Sequence, residues 1–467
     1  MSSIYYEIYY DICDKLAVDN ISDIRDPAKQ YLAVQYVNYK LTGQFDNVYT
    51  YGLQSKMFDP AYDFNAEWDW VYNDFQTNGV MVHQGAYYDA RFNLGFIDQN
   101  DHIGVHRHGW QFVYKAMEQW NNNSVNLMFD LYIDRSFHWK LNIMKMCGIV
   151  PYVAPWFGFI HHTFDESFSI NNCMQLFQCP EFIASLPYCK GLFTLSHELQ
   201  KKVRTQLVRL GYGSLLCKSI FHPVELNTPS FDWQAYQLLP IKQIVHIGGW
   251  MRNVDTFFQL NVGANAEKIL LQGKFMENYY PPQSFIDYLN TVVGDSVLAT
   301  PDGKNVSVGS NPNYVAEIDA KLVSEANDGN TWVKFFLGKL QTQLTSVSIQ
   351  DTLPDNDYDD FLLTKIVFIH LIDASAVNTI LECIAGNIPI IVNRLPAIEE
   401  YIGSGYPLFI PDDTSVQAMS AFVQTVVATP DMVHSAVAYL ASLDKTKFLL
   451  ASFESRISSY IDIMNGF

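Results

Sequence analysis

Between Thr364 and Tyr401 the apolar and polar positions fall into blocks that change period twice. Lys365 to Ile372 is mostly apolar and β-branched, the pattern of a parallel strand covered on both faces. Asp373-Ala374-Ser375 interrupts it as a turn, and Asp373 or Ser375 can cap a following helix. From about Ala376 to Ala385, Ile380, Leu381 and Ile384 recur at helical spacing. Gly386-Asn387 ends the helix, since both tolerate left-handed backbone. Pro389 blocks its continuation, and Ile388 to Val392 is the next strand. A parallel βαβ unit aims a helix N-terminus beyond its strand ends, where an anion can sit, although many such units are purely structural. Glu382, early in this helix, can also accept ribose hydroxyls.

The same pattern, read along the chain, predicts an α/β protein. Ser2 to Tyr51 reads as two or three Tyr-rich helices, followed by an aromatic loop with Trp68 and Trp70. Val80 to Val82 and Phe92 to Ile97 read as strands. Ile103 to Val105 leads into His106-Arg107-His108-Gly109-Trp110 and a helix from Gln111 to Trp120. Val125 to Asp134 is a strand, and the apolar run Ile149 to Ile160 ends in His161-His162-Thr163. A His at the carboxyl end of a buried strand lies at the mouth of a parallel sheet, and only one of two neighbours faces it. Cys189 to Ser196 is a strand, and Ser196 is the expected cap of a helix over His197 to Leu210. Asn227 to Tyr236 reads as a linker. Gln243 to Ile247 and Lys268 to Leu271 are strands followed by Gly-bearing turns, Gly248-Gly249-Trp250-Met251-Arg252 and Gln272-Gly273-Lys274. A helix begins near Tyr279, residues 293–313 read as a surface loop, Val347 to Ile349 is a short strand, and the acid run at Asp355 is a helix start.

Composition narrows the partners. The chain has 467 residues, enough for two α/β domains, and a formal charge of −19. That charge argues against nucleic-acid partners and anionic membranes, both of which need clustered Lys and Arg. No stretch is long and apolar enough for a transmembrane segment, and no secretory signal is visible. Seven cysteines without paired spacing suit reduced thiols. The expectation is a soluble, cytoplasmic protein. His106 and His108 could share one face of a strand, but no third ligand has matching spacing, so no metal is expected.

Glu382, Ala385, Asn387, Pro389 and Glu400 fall in register on the donor-sugar signature of retaining GT-B glycosyltransferases of the family-four type, which Thr364 to Tyr401 resembles. Ala374 stands where that signature has its first acid, with Asp373 one residue earlier. The resemblance extends loosely from Ile103 onward. His162-Thr163 is similar to a His element near the reacting sugar, and Ser219 to Glu225 to the strand and turn closing the first domain. Arg252-Asn253-Val254-Asp255 is similar to a Lys-Gly-Val-Asp element, and Gly273 to a strand-end Gly. It implies an α/β GT-B fold, two Rossmann-like domains facing each other across a cleft, with a mainly helical N-terminal extension. The expected division is 1–78 for the extension, 79–238 for the acceptor side with 446–467 crossing back, and 239–445 for the donor side.

In that family arrangement the donor is a nucleotide-diphosphate sugar, UDP- or GDP-linked, and no metal takes part. Backbone amides at Asn378 and Thr379, with Ser375, Gly248 and Gly249, would hold the pyrophosphate. Arg252 would offset the leaving-group charge, Lys274 would assist, and Glu382 would hold the ribose. Arg252 on the surface, paired with Asp255, is the bland alternative. His162 and Asp373 would line the sugar pocket. The acceptor would be a glycan, a protein or a small molecule. Ala374 keeps open a non-catalytic GT-B-like glycan-binding or scaffold protein, and a nucleotide-sugar epimerase is a further alternative. A nicotinamide oxidoreductase is disfavoured by the lack of G-x-G-x-x-G after a strand.

Overall fold

The computed structural model describes residues 91–97, 99, 109–122, 125–271, 347–350, 353–412 and 414–465. The extension at 1–78, the strands expected at 80–82 and 103–105, His106, His108, the turn with Lys274, the helix from Tyr279 and the loop at 293–313 lie outside these residues. The chain divides into two compact units, Met1–Val224 with Thr446–Phe467, and Glu225–Lys445. Each contains a parallel sheet with helices, the α/β architecture expected of a GT-B chain. Among the described residues no helix is long and apolar enough to cross a membrane.

In the first unit helix α1 (Trp110–Met117) precedes strand β1 (Met128–Asp130), helices α2 (Ile133–Phe137) and α3 (Leu141–Met146), and β2 (Trp156–Ile160). Helices α4 (Cys173–Leu176) and α5 (Pro180–Ser185), β3 (Cys189–Thr194), α6 (His197–Arg209) and β4 (Leu216–Ser219) follow. The strands lie in the order β1-β2-β3-β4, all parallel. Every residue of β2 is buried, as for a strand covered on both faces. Asp130 pairs with Gly158, where a Cβ would meet the Asp130 carbonyl at 2.2 Å, so only glycine lets the two strands approach. Phe129 stacks on Phe157 with centroids 4.1 Å apart.

Most expected strands are shorter in the structure, those over Lys365 to Ile372 and Cys189 to Ser196 included, and at two a local side-chain hydrogen bond ends the extended stretch. The strand expected over Val125 to Asp134 stops at Asp130, because its carboxylate accepts the Tyr132 N–H at 2.9 Å and turns the chain into α2. Phe92 to Ile97 makes bridges only at Phe92 and Asn93, since the Asn93 side chain accepts the Gly95 N–H and bends the backbone. The strand and turn that Ser219 to Glu225 resembles lie earlier than expected: β4 is already complete at Ser219, and Pro223, just beyond, has no N–H to give a ladder. Ser196 caps α6 as expected, its Oγ accepting the Leu199 N–H at 3.2 Å.

The second unit opens with α7 (Trp233–Leu238), a helix that begins within the expected linker Asn227 to Tyr236 and is capped by Asp232. Then come β5 (Lys242–Ile247), α8 (Val254–Gln259), β6 (Ala266–Leu271), β7 (Val347–Gln350), α9 (Asp355–Leu362), β8 (Ile366–Ile369), α10 (Asn378–Gly386), β9 (Ile390–Val392) and α11 (Pro396–Ile402). Helices α12 (Val416–Ala428) and α13 (Pro430–Ser442) complete it, and α14 (Leu450–Asn465) belongs to the first unit, where Phe453 stacks on Phe159. The parallel sheet has the order β7-β6-β5-β8-β9. The chain winds outward from β5 to β7, then returns to the other side of β5 as β8. This reversal is a topological switch point, and in open α/β sheets ligands bind beyond the carboxyl ends of the strands there.

Two lysines close helix ends in this unit. Lys242 Nζ donates to the Tyr236 and Leu239 carbonyls after α7, and Lys268 Nζ to those of Phe257 and Phe258 after α8. Burial lowers the Lys268 ammonium to about 8.

The stop after α10 is the left-handed residue expected, Asn387, at φ +53°. Its amide donates to Ser230 Oγ at 3.1 Å and accepts from Lys445 Nζ at 2.7 Å, so both ends of the unit are tied to one helix terminus. Asn387→Gly keeps the left-handed stop but loses both bonds, whereas Asn387→Ala loses the bonds and strains the backbone. Unfolding free energies from urea titration should therefore fall in the order wild type, Gly, Ala, with the alanine variant less stable than the glycine variant by about 1 kcal/mol. Equal free energies for the two variants would contradict this account.

Candidate functional site

The turn after β5 and the turn after β8 meet at the switch point. Gly248 takes φ +71° and Met251 φ +56°, a conformation unfavourable for a side chain as large as Met, so the 248–253 turn is tightly wound. It is zipped to the next turn. The Asn253 N–H donates to the His370 carbonyl at 2.7 Å, the Ile372 N–H to the Met251 carbonyl at 2.8 Å, and Arg252 bridges Leu371 in antiparallel fashion. Asn393, just past β9, clamps Leu371 from the other side: its Oδ1 accepts the Leu371 N–H at 2.7 Å and its Nδ2 donates to the Leu371 carbonyl at 2.9 Å. A side-chain amide thus does the work of one more ladder residue.

The zipper delivers Arg252 to the start of α10. Its Nη2 donates to Thr379 Oγ1 at 2.9 Å and its Nη1 to the Trp250 carbonyl at 3.1 Å, while Nε is buried without a partner. The guanidinium lies over Gly248, where a Cβ would meet its Cζ at 3.2 Å. Arg252 does not make the surface pair with Asp255 considered from sequence; Asp255 is itself buried. Burial lowers the Arg252 guanidinium to about 10, opposed by the Glu382 carboxylate. His246, fully buried at the end of β5, places Nε2 at 3.0 Å from the Gly248 carbonyl, and burial lowers it to about 3.

Helix α10 begins at Asn378 rather than near Ala376, and neither expected cap is used. Its N-cap is Val377, which offers no side-chain acceptor. Asp373 Oδ1 instead accepts the N–H of the adjacent Ala374 at 2.8 Å, and the Ser375 hydroxyl is buried without a partner. Two β-branched or apolar residues before the helix leave the first-turn N–H groups of Asn378 and Thr379 without a side-chain cap, at the positive end of the helix dipole. One turn later Glu382, only 6 % exposed, accepts a short hydrogen bond from the Tyr358 hydroxyl on α9. Burial, and then the charge of Glu382, hold the Tyr358 phenol well above the usual tyrosine range.

The structure therefore brings Gly248, Arg252, Thr379 and Glu382 together, with Asp373 and Ser375 on the turn leading into α10. Gly249 accepts the Arg252 N–H at its carbonyl, and Lys274 is outside the described residues. His162 belongs to the first unit. The Asp134 carboxylate accepts the N–H groups of His161 and His162 at the end of β2. The His162 ring is 7 % exposed. Its Nδ1 donates to the Asn171 carbonyl at 2.6 Å, which leaves Nε2 to accept from the Tyr132 hydroxyl at 3.3 Å. The ring also packs parallel to the half-exposed Trp139. Among the described residues no group of three His, Cys, Asp or Glu side chains could hold a metal ion.

No family model matches the chain, and no curated protein matches it. Among solved structures it is similar to Anabaena HepE in complex with UDP-glucose, with 11 % identity, 76 % of this chain and 81 % of that one covered, and a TM-score of 0.46. It is similar also to sucrose-phosphate synthase from Thermosynechococcus elongatus, with 12 % identity, 76 % and 77 % covered, and a TM-score of 0.47. Both likenesses are of architecture, and they assign no role to any residue here.

Sequence reading missed Tyr358, the Thr379 hydroxyl, His246 and Asn393. Tyr358 is the one aromatic among the acids that start α9, and Asn393 is a polar residue directly after the apolar run of β9. Those are the available signals, and neither points to its partner.

Asp255, in the first turn of α8, makes the stability of this region depend on pH. Burial raises its carboxyl from 3.8 to about 8. Between these values the folded protein holds a proton that the unfolded chain has released, so the contribution is full below about pH 4 and is lost as pH rises through about 8. Asp255→Asn should flatten the decline in urea midpoint between pH 5 and pH 8.5; a steeper decline would exclude this assignment.

Proposed function

We propose that the chain is a glycosyltransferase taking its sugar from a UDP- or GDP-linked donor and passing it to a glycan, protein or small-molecule acceptor. The observation that carries the reading is Arg252, fixed by the Thr379 hydroxyl beside the uncapped start of α10, at the switch point of a parallel sheet. Such a place suits a diphosphate. The N–H groups of Asn378 and Thr379 and the Ser375 hydroxyl would donate to phosphate oxygens, Gly248 and Gly249 would admit them, and Glu382 would accept ribose hydroxyls. As the bond to the sugar breaks, charge grows on the leaving diphosphate, and a guanidinium already in position stabilises it without reorganising. Lys274 would add a second cation, and Asp373 and His162 would act on the sugar. We include in the proposal retention of anomeric configuration and departure of the leaving group without a bound metal.

A second reading is favoured by Ala374, whose buried methyl stands where the resembling signature has an acid. The chain would then bind a nucleotide sugar without transferring it. Donor turnover measured by NMR, with donor alone and with acceptors, separates the two readings and exposes an epimer if one forms.

A thermal-shift panel of UDP-, GDP-, ADP- and TDP-sugars tests the common part. At a hundredfold excess over its dissociation constant, a cognate donor should raise apparent stability by about 2–3 kcal/mol. Arg252→Ala should weaken UDP or GDP binding roughly a hundredfold, the loss of charge-assisted bonds to phosphate; an unchanged affinity would defeat the reading. His162→Ala should leave nucleotide affinity unchanged and lower transfer.

A further inference from the structure

Glu382 is a carboxylate in a place where a carboxylate is costly. It is 6 % exposed and lies on the second turn of α10, where a buried polar group needs hydrogen bonds in place of its water. The Tyr358 hydroxyl supplies one, to Oε2. Tyr358 is itself buried, at 6 % exposure, on a helix that follows a different strand, β7, and its backbone N–H is held by the Pro354 carbonyl at 2.8 Å. The phenol comes from outside the βαβ unit that carries Glu382, so the direction of the carboxylate is set by an element the unit does not contain.

We propose that Tyr358 is a positioning residue for Glu382, holding its carboxylate in one orientation so that it can accept the hydroxyl groups of a nucleoside. This rests on the diphosphate-sugar reading above. A phenol donating to a carboxylate forms a charge-assisted bond, stronger and more directional than a neutral one. Burial and the neighbouring carboxylate keep the phenol protonated, so it remains a donor throughout the neutral range. The Tyr358 hydroxyl donates to Glu382, whereas Arg252, Thr379 and the start of α10 are the groups assigned to the diphosphate. The two halves of the ligand are therefore separable.

Calorimetric titration with UDP, GDP and inorganic pyrophosphate makes the separation measurable. Tyr358→Phe should weaken the nucleoside diphosphate about tenfold and leave pyrophosphate unchanged. Combining it with Glu382→Gln should cost no more than Glu382→Gln alone, because both act through one carboxylate. Equal UDP and GDP affinities in wild type and Tyr358→Phe, or a parallel loss of pyrophosphate, overturns the role of Tyr358 while leaving the diphosphate site standing. A wild-type protein that binds neither nucleoside diphosphate nor pyrophosphate overturns both. Should the phenylalanine variant fold poorly, 3-fluorotyrosine at position 358 serves in its place. Its fluorine resonance should shift on saturation with UDP or GDP and stay fixed with pyrophosphate, and a resonance indifferent to the nucleotide rejects the proposal.

Discussion

The second unit depends on the zipper between the turns after β5 and β8. Parallel strands leave their carboxyl-end backbone groups unpaired, and the two turns satisfy one another through the Asn253–His370 and Ile372–Met251 bonds. The Asn393 amide completes the ladder at Leu371. Because both turns are held, Arg252 has one place to go, over Gly248 and onto Thr379. The site is thus a consequence of how the sheet ends are closed, and its rigidity comes from backbone bonds rather than from side-chain packing alone.

The Arg252 guanidinium loses hydration and is offset by the Glu382 carboxylate acting through space, while Glu382 is held by a phenol. A buried donor at Arg252 Nε and a buried hydroxyl at Ser375 have no protein partner. Buried polar atoms in folded proteins are normally paired, so these two are exceptions near the start of α10.

Legibility in the sequence was uneven for physical reasons. The βαβ unit was clear because β8, α10 and β9 each have a single period, and because a Gly-Asn pair marks the stop. Helix starts with an oxygen-bearing cap were also clear, as at Ser196. Strand ends were not. Asp130 and Asn93 terminate strands by binding their own backbone two residues on, and an apolar run does not reveal which way a short polar side chain will turn. The cap of α10 was misjudged for the same reason. Asp373 and Ser375 have the right chemistry, but the carboxylate folds onto its neighbour's N–H and the hydroxyl is buried without a partner.

By itself the sequence determined the alternation of strands and helices and the position of the left-handed stop, because these follow from local periodicity and from the backbone preferences of single residues. The candidacy of Arg252 and Glu382 came from the resemblance to the glycosyltransferase signature. Only the tertiary structure decided that β8 returns beside β5, that Arg252 meets Thr379 across 127 positions, and that Tyr358 reaches Glu382 from a separate helix. Those pairings join segments far apart in the chain. Their energies depend on burial and geometry that no local window contains.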